Sequence, residues 1–437
     1  MLKQPQTFGP ELRRLRLAAG LTLAQLASSV HYSKSQISKI ETGHKRATTE
    51  FARLCDTALD AGGALAALVP PGLADGRPTP QDQAGAIMRR GTPTPDRSGR
   101  MPGGTSPTRR QVMAVGAASV LGAAPASGAS ASAEAVPQDS GADLLEASLD
   151  LFAQYRRLGQ LTPPGTLLPV IAEQSRSLGG LAARCRARTR TGLLNLAARY
   201  AEFTGWMAQE AGDDTAALDW TDHAVRLAEE AGDRDLASYA LTRRALMSYY
   251  RGDAADTISL ASGAQSGRLP PRIRGLAAQH VGQGHALAGD YDACLRHLDR
   301  ARTLLAADRP DPAMPLLGAT HLTDPITMIT GWCMLDLGRP RQAAAVLDEA
   351  FSTLPAHALR TRARYGMRRA LAHANSGEIE HACTIAGELL PAAQCADSAT
   401  IRLDMRRLAR TLARFRTSPA AAQLSPDLTA ALHTPLR

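Results

Sequence analysis

The chain has 437 residues, room for two or three domains and a substantial buried core. Aromatic residues make up only 4 % of it, while Ala and Leu abound, which favours helices packed through small side chains over strands. No alternating run reads as a strand, so the expected fold class is all-α. The net charge is +9, and it is densest in the first 69 residues, where nine Lys and Arg stand against five Asp and Glu. An anionic partner is expected at that end. The six cysteines (Cys55, Cys185, Cys294, Cys333, Cys383, Cys395) contain no C-x-x-C pair. They argue against a disulfide framework or a metal site and for reduced, mostly buried thiols in a cytoplasmic protein.

Residues 11–69 divide into short helical pieces. ELRRLRLAAG places Leu12 and Leu15 on one face and stops at Gly20. Thr22 caps LAQLASSV, Ser33 caps KSQISKIETG, and Thr48 or Thr49 opens EFARLCDTALDAGG. The second and third pieces are joined by a short turn at His31-Tyr32, a helix-turn-helix pattern in which the later helix enters the major groove of DNA. Helical periodicity turns Ile37 and Ile40 inward onto Leu26, Ala27 and Val30. Lys34, Ser35, Ser38 and Lys39 lie toward the outer face, with Gln36 at its side. Those ammonium, hydroxyl and amide groups suit base edges and phosphates, and His44, Lys45 and Arg46 just beyond the helix suit phosphates.

LRRLRLAAGLTLAQLASSVHYSKSQISKIETGHKR resembles the Cro and phage-repressor class of helix-turn-helix, also called the xenobiotic-response-element class. The resemblance implies a five-helix domain over residues 1–69, binding to a two-fold DNA operator as a homodimer, and an ion pair between Arg16 and Glu41. Two positions depart from the class. Leu23 stands where a phosphate-binding Gln is common, and His31 stands at a turn position usually held by Gly.

From Pro70 to Ala142 the composition is that of a Pro-, Gly- and Ala-rich linker, expected to be disordered. Within it, residues 108–133 (TRRQVMAVGAASVLGAAPASGASASA) combine twin arginines, an apolar run and an A-x-A end, like a twin-arginine export signal. The strongly apolar core, Val112 to Ala124, is shorter than the about 20 residues a membrane span needs. Three readings stay open: a linker with a helix that packs on the next domain, the relic of a signal, and a working signal or tether. The DNA-reading pattern upstream favours the first, because such a domain acts in the cytoplasm.

From residue 143 to 416 a glycine recurs at turns: Gly212, Gly252, Gly289, Gly338 and Gly377, at gaps of 40, 37, 49 and 39 residues. Seven residues before each stands Gly205, Ala245, Gly282, Gly331 or Ala370. Five after stands Ala217, Thr257, Cys294, Ala343 or Ala382, and twelve after Ala224, Ala264, Ala301, Ala350 or Leu389. Small residues fill all but one of these sites, as close packing of antiparallel helices requires. The pattern resembles the tetratricopeptide repeat, with gaps longer than the standard of about 34 residues. Flanking helices, including the basic amphipathic RRLARTLARFRT, would cap the stack, and residues 417–437 would be a flexible tail.

The resemblance implies a concave groove lined by the first helix of each repeat. Projected onto this chain, it comprises Arg199, Glu202, Trp206 and Gln209, then Tyr239, Thr242, Tyr249 and Tyr250. Gln279 and Gln283 follow, then Met328 and Trp332, then Arg364, Met367 and Asn375. Aromatics, amides and arginines together suit a short peptide or protein partner. No P-loop, H-E-x-x-H or G-x-S-x-G is present, so neither an enzyme nor a cofactor is expected. The architecture resembles bacterial quorum-sensing regulators. Two alternatives are a repeat scaffold with secondary DNA binding and a membrane-tethered or exported repeat protein.

Overall fold

The computed structural model describes residues 7–69 and 138–436, apart from residues 310, 312, 313, 319–321 and 323. Among the described residues there are eighteen α-helices and no strand. The segment at 108–133 and most of the expected linker lie outside the described residues.

Four helices build the N-terminal domain: α1 (Phe8–Ala18), α2 (Leu23–Ser29), α3 (Lys34–Glu41) and α4 (Thr49–Ala58). Where a fifth helix was expected there is a three-residue 3-10 turn, Ala66–Leu68, whose entry Asp56 ties by accepting from Leu65 N at 2.9 Å and Ala66 N at 2.8 Å. The helix starts follow from side-chain caps. Thr22 and Ser33 each form a reciprocal capping box, with Gln25 and Gln36 respectively, and Thr48 accepts from Phe51 N. Leu12, Leu26, Ala27, Val30, Ile37, Ile40, Phe51, Leu54 and Cys55 form one buried core, joining the faces that periodicity assigned inward. His31 adopts a left-handed backbone, φ +51°, at the position usually given to Gly.

The second region runs α5 (Gln138–Leu158), α6 (Pro164–Ala182), α7 (Ala187–Ala211), α8 (Asp214–Glu230), α9 (Asp235–Tyr250) and α10 (Ala254–Gly263). It continues with α11 (Pro271–Ala288), α12 (Tyr291–Ala306), α13 (Pro325–Asp336), α14 (Pro340–Ser352), α15 (Leu359–Asn375), α16 (Ile379–Ala396), α17 (Ala399–Leu412) and α18 (Pro419–His433). Helices α7 to α16 form five antiparallel hairpins, and the five recurring glycines are their turns, all at positive φ between 74° and 90°. All fifteen positions of the pattern are buried, Leu389 included. At Gly331 an added Cβ would lie 2.7 Å from Leu347 of the facing helix, so helix α13 reaches α14 only because a side chain is missing there.

The longest gap between glycines, 49 residues, contains the long connection between α12 and α13. Its Leu316 and Gly318 carbonyls accept from Arg156 of α5, both at 2.6 Å, and Leu317 O accepts from Arg272 of α11 at 2.7 Å. The residues expected as a flexible tail differ from that expectation. They form α18, which buries Ala421, Leu424, Leu428 and Ala431 against the stack.

The stack also closes on itself. Glu210 at the end of α7 is fully buried, and it pairs with Arg360 at 3.2 Å and with Arg364, both on α15. Ser398 donates to the same carboxylate at 2.6 Å. Arg360 further donates to the Gly159 and Thr162 carbonyls of the α5–α6 turn, at 2.7 and 2.6 Å. The arginines hold the Glu210 carboxyl below its ordinary pKa, against the burial that would raise it.

Candidate nucleic-acid interface and repeat-domain cavity

Helix α3 presents Lys34, Ser35 and Lys39 to solvent, and His44, Lys45 and Arg46 are exposed after it. Ser38 is half-buried. Gln36 is half-buried as well, and its side-chain carbonyl accepts from Ser33 N at 3.3 Å. The side chain expected to face DNA thus also holds the helix start. His44 Nδ1 lies 2.9 Å from the Thr42 hydroxyl, and Lys45 N donates to Lys39 O at 3.0 Å, which folds the basic turn back along α3. Arg16 grips Glu41 with two bonds, 2.6 and 2.9 Å, and the Leu21 carbonyl with a third at 2.8 Å. This buried pair fixes the end of α3 against α1, and so sets the angle at which the exposed face stands.

The opposite side of the domain is occupied. Helix α4 and the α2–α3 turn sit on the hairpin turns of three successive repeats. Arg53 donates to Leu287 O of α11 at 2.9 Å and lies 3.8 Å from Asp336 at the end of α13. Thr57 donates to Leu337 O at 2.9 Å. Asn375 at the end of α15 donates to Glu50 at 2.9 Å. The last carbonyls of a helix have no partner within it, and its C-terminus carries partial negative charge. Arg53 and Thr57 satisfy such carbonyls, and Arg53 brings the favourable sign. The glycines make the approach possible: a Cβ on Gly338 would lie 2.5 Å from Arg53 O, and one on Gly377 2.8 Å from the His31 ring. Arg414, just past α17, covers the Tyr32 ring at 4.3 Å. Burial, and then the charges of Arg414 and Arg341, lower the His31 pKa.

Within the stack lies a partly open cavity of about 550 Å³. Of the expected groove residues, Glu202, Trp206, Tyr239, Thr242, Tyr250, Gln279, Gln283, Trp332 and Arg364 line it. Others stand elsewhere. Arg199 lies 3.8 Å from Asp233, and Gln209 is buried and accepts from Arg243 at 3.1 Å. Tyr249 is buried and donates to Asp336; Met328 and Met367 are core. Asn375 serves the contact with α4. The residues that the sequence reading missed are Arg156, Arg243, Arg272, Arg302 and Arg360, all cavity-lining, and His280, whose pKa burial pushes down to about 4. His280 donates through Nδ1 to Gln283 Oε1 at 2.8 Å.

A buried chain of contacts joins cavity and α4. Trp332 packs edge-on against Tyr249 at 5.4 Å, Tyr249 bonds Asp336, and Asp336 meets both Arg53 and Arg407. Elsewhere, Asp348, His373 and His381 bring one ligand atom each within 4.8 Å of one another, but Asp348 is already paired with Arg369.

Residues 7–69 match the family described as "Helix-turn-helix domain". No curated protein matches the chain. A solved structure titled "Crystal Structure of Rap Protein Complexed with Competence and Sporulation Factor" is similar, with 13 % identity and a TM-score of 0.43 over 68 % of this chain and 98 % of that one. No described helix is long and apolar enough to cross a membrane. The chain thus carries a helix-turn-helix domain at residues 7–69, followed by a stack of helical hairpins.

Proposed function

We propose that the protein is a sequence-specific transcriptional regulator that reads DNA through α3 and senses a ligand in the cavity of its repeat stack. It acts as a homodimer on a two-fold operator in the cytoplasm, and it catalyses no reaction. The observation that carries this reading is the seating of α4. The basic face of α3 stays exposed while α4 rests on the ends of α11, α13 and α15. Those same helices wall the cavity. A ligand that moves Trp332 shifts Tyr249 and Asp336, and with them the seat of Arg53. Direct packing removes the need for a long flexible linker to transmit geometry, since such a linker would transmit it poorly. Ligand control then requires only that the ligand favour one seating of the domain over another.

The test is the double substitution Lys34→Ala/Lys39→Ala, with operators first mapped by genome-wide occupancy of the tagged protein. We expect operator affinity to fall by roughly 1–3 kcal/mol per lysine, with thermal stability unchanged. Unchanged occupancy would contradict the DNA-reading assignment and favour a repeat scaffold.

A further inference from the structure

We infer that the cavity takes an anionic ligand, a carboxylate or similar oxyacid on an aromatic or apolar body. This inference rests on the reading of the cavity as the sensory site and deepens it.

Size gives the first constraint. A cavity of about 550 Å³ falls within the roughly 300–1,000 Å³ of small-ligand sites. The Glu210 clasp and the α12–α13 connection, tied by Arg156 and Arg272, wall the space from two sides.

The unpaired polar atoms give the second. Four lining residues hold a buried nitrogen with no hydrogen-bond partner among the described residues: Arg243 Nε, Gln283 Nε2, Trp332 Nε1 and Arg364 Nε. All four are donors, and Gln283 and Trp332 are at most 2 % exposed. Arg243 Nε stands 3.7 Å from Glu202, beyond hydrogen-bond reach. Buried donors call for acceptors, and an oxyanion supplies several at once.

Charge points the same way. Six arginines line the cavity against two acids, Glu202 and Asp324, while Glu210, Asp308 and Asp299 pair four of those arginines from outside the lining. Asp324 is committed to capping α13. Arg156 is held by two neutral carbonyls, and burial works against its charge. An anion inside the cavity would offset that cost. The stacked pair Phe203–Trp206, at 5.7 Å, with Leu276 and Ile329, forms the apolar wall for the body.

The experiment uses the full-length protein and a panel of aryl- and alkyl-carboxylates, each beside its neutral amide, plus a heptapeptide library. Binding is followed by calorimetry and by quenching of Trp206 and Trp332. We expect one site per chain, carboxylates preferred over their amides by about tenfold or more, and loss of that preference in Gln283→Leu. A thermal melt checks that the variant folds. Should it fail to fold, the comparison of acid with amide on the wild-type chain decides alone. Amides that bind as well as acids overturn the inference, as does a site that accepts only peptides; both leave the sensory reading standing. A response to no probe overturns the inference. Carboxylate selection with operator affinity unmoved supports the inference and counts against the regulatory reading.

Discussion

The two regions each pin themselves with a buried arginine–glutamate contact, but over very different spans. In the helix-turn-helix domain Arg16 and Glu41 are 25 residues apart, within one small core. In the repeat stack Glu210 is 150 residues from Arg360, and the pair joins the first and the last of the five hairpins. The first contact stabilises a unit whose helices already meet through local hydrophobic packing. The second closes a ring whose neighbouring hairpins would pack without it. The difference predicts where each region fails: the N-terminal domain as a whole, the stack by opening at its seam.

The sharpest way to break this comparison is Glu210→Ala. It leaves Arg360 and Arg364 buried without their carboxylate, and breaking a buried pair from one side costs about 3–5 kcal/mol. Urea unfolding should report that loss in the repeat region, with the N-terminal domain still folded. An unfolding curve identical to wild type would show that the seam carries nothing.

A smaller effect follows from acid. His280 is buried beside the cavity with its pKa lowered from 6.5 to about 4. Above pH 6.5 the ring is neutral in the folded and unfolded chains, and pH has no leverage through it. Below 6.5 the unfolded chain takes up a proton that the folded one refuses until about pH 4. Stability therefore falls as pH falls through that window, by about 3 kcal/mol in all, and then levels. The slope should vanish in His280→Gln, measured as the difference between the two proteins. Among the groups facing the ring, Arg243 deepens the shift and Gln283 opposes it.

The smallest effect compares two turn glycines. Gly338 and Gly232 both have left-handed backbones, φ +74° and +86°. Alanine at either should cost about 1–2 kcal/mol for that conformation. Only at Gly338 would the new Cβ strike the Arg53 backbone, whereas Gly232 faces open space. Gly338→Ala should therefore also alter operator affinity, and Gly232→Ala should leave it alone. Equal effects on DNA binding would argue against the seating of α4.

Much of the N-terminal domain was legible because its signals are local. Thr22, Ser33 and Thr48 cap within three residues, and the apolar spacing joins neighbouring helices. Gln36 was legible as part of a helix start, since Ser33-x-x-Gln36 is a capping-box spacing. The repeat glycines and their small partners were also legible, because hairpin packing recurs at a fixed interval. What escaped was non-local. Arg360 looks like a surface residue in sequence, yet it is 1 % exposed because the ring closes over it. Gln209, Tyr249 and Asn375 were projected into the groove, but closure and the docked α4 decide which face of each helix points inward. Asn375 turns instead to Glu50. Helix α18 carries Leu424, Leu428 and Ala431 at helical spacing, a signal masked by Pro426 within it. Along α4, Glu50, Arg53 and Thr57 form a polar stripe at the same spacing, the one sequence sign that this helix has a second partner.

The central claim is that the helix-turn-helix domain rides on the ends of the repeat helices. Hydrogen exchange on the full-length protein, wild type against Glu50→Ala/Arg53→Ala, tests it most directly. The account predicts that the turns around Gly289, Gly338 and Gly377 lose protection together in the variant, while the turn at Gly232 does not change. Turns that exchange alike in both proteins would contradict it.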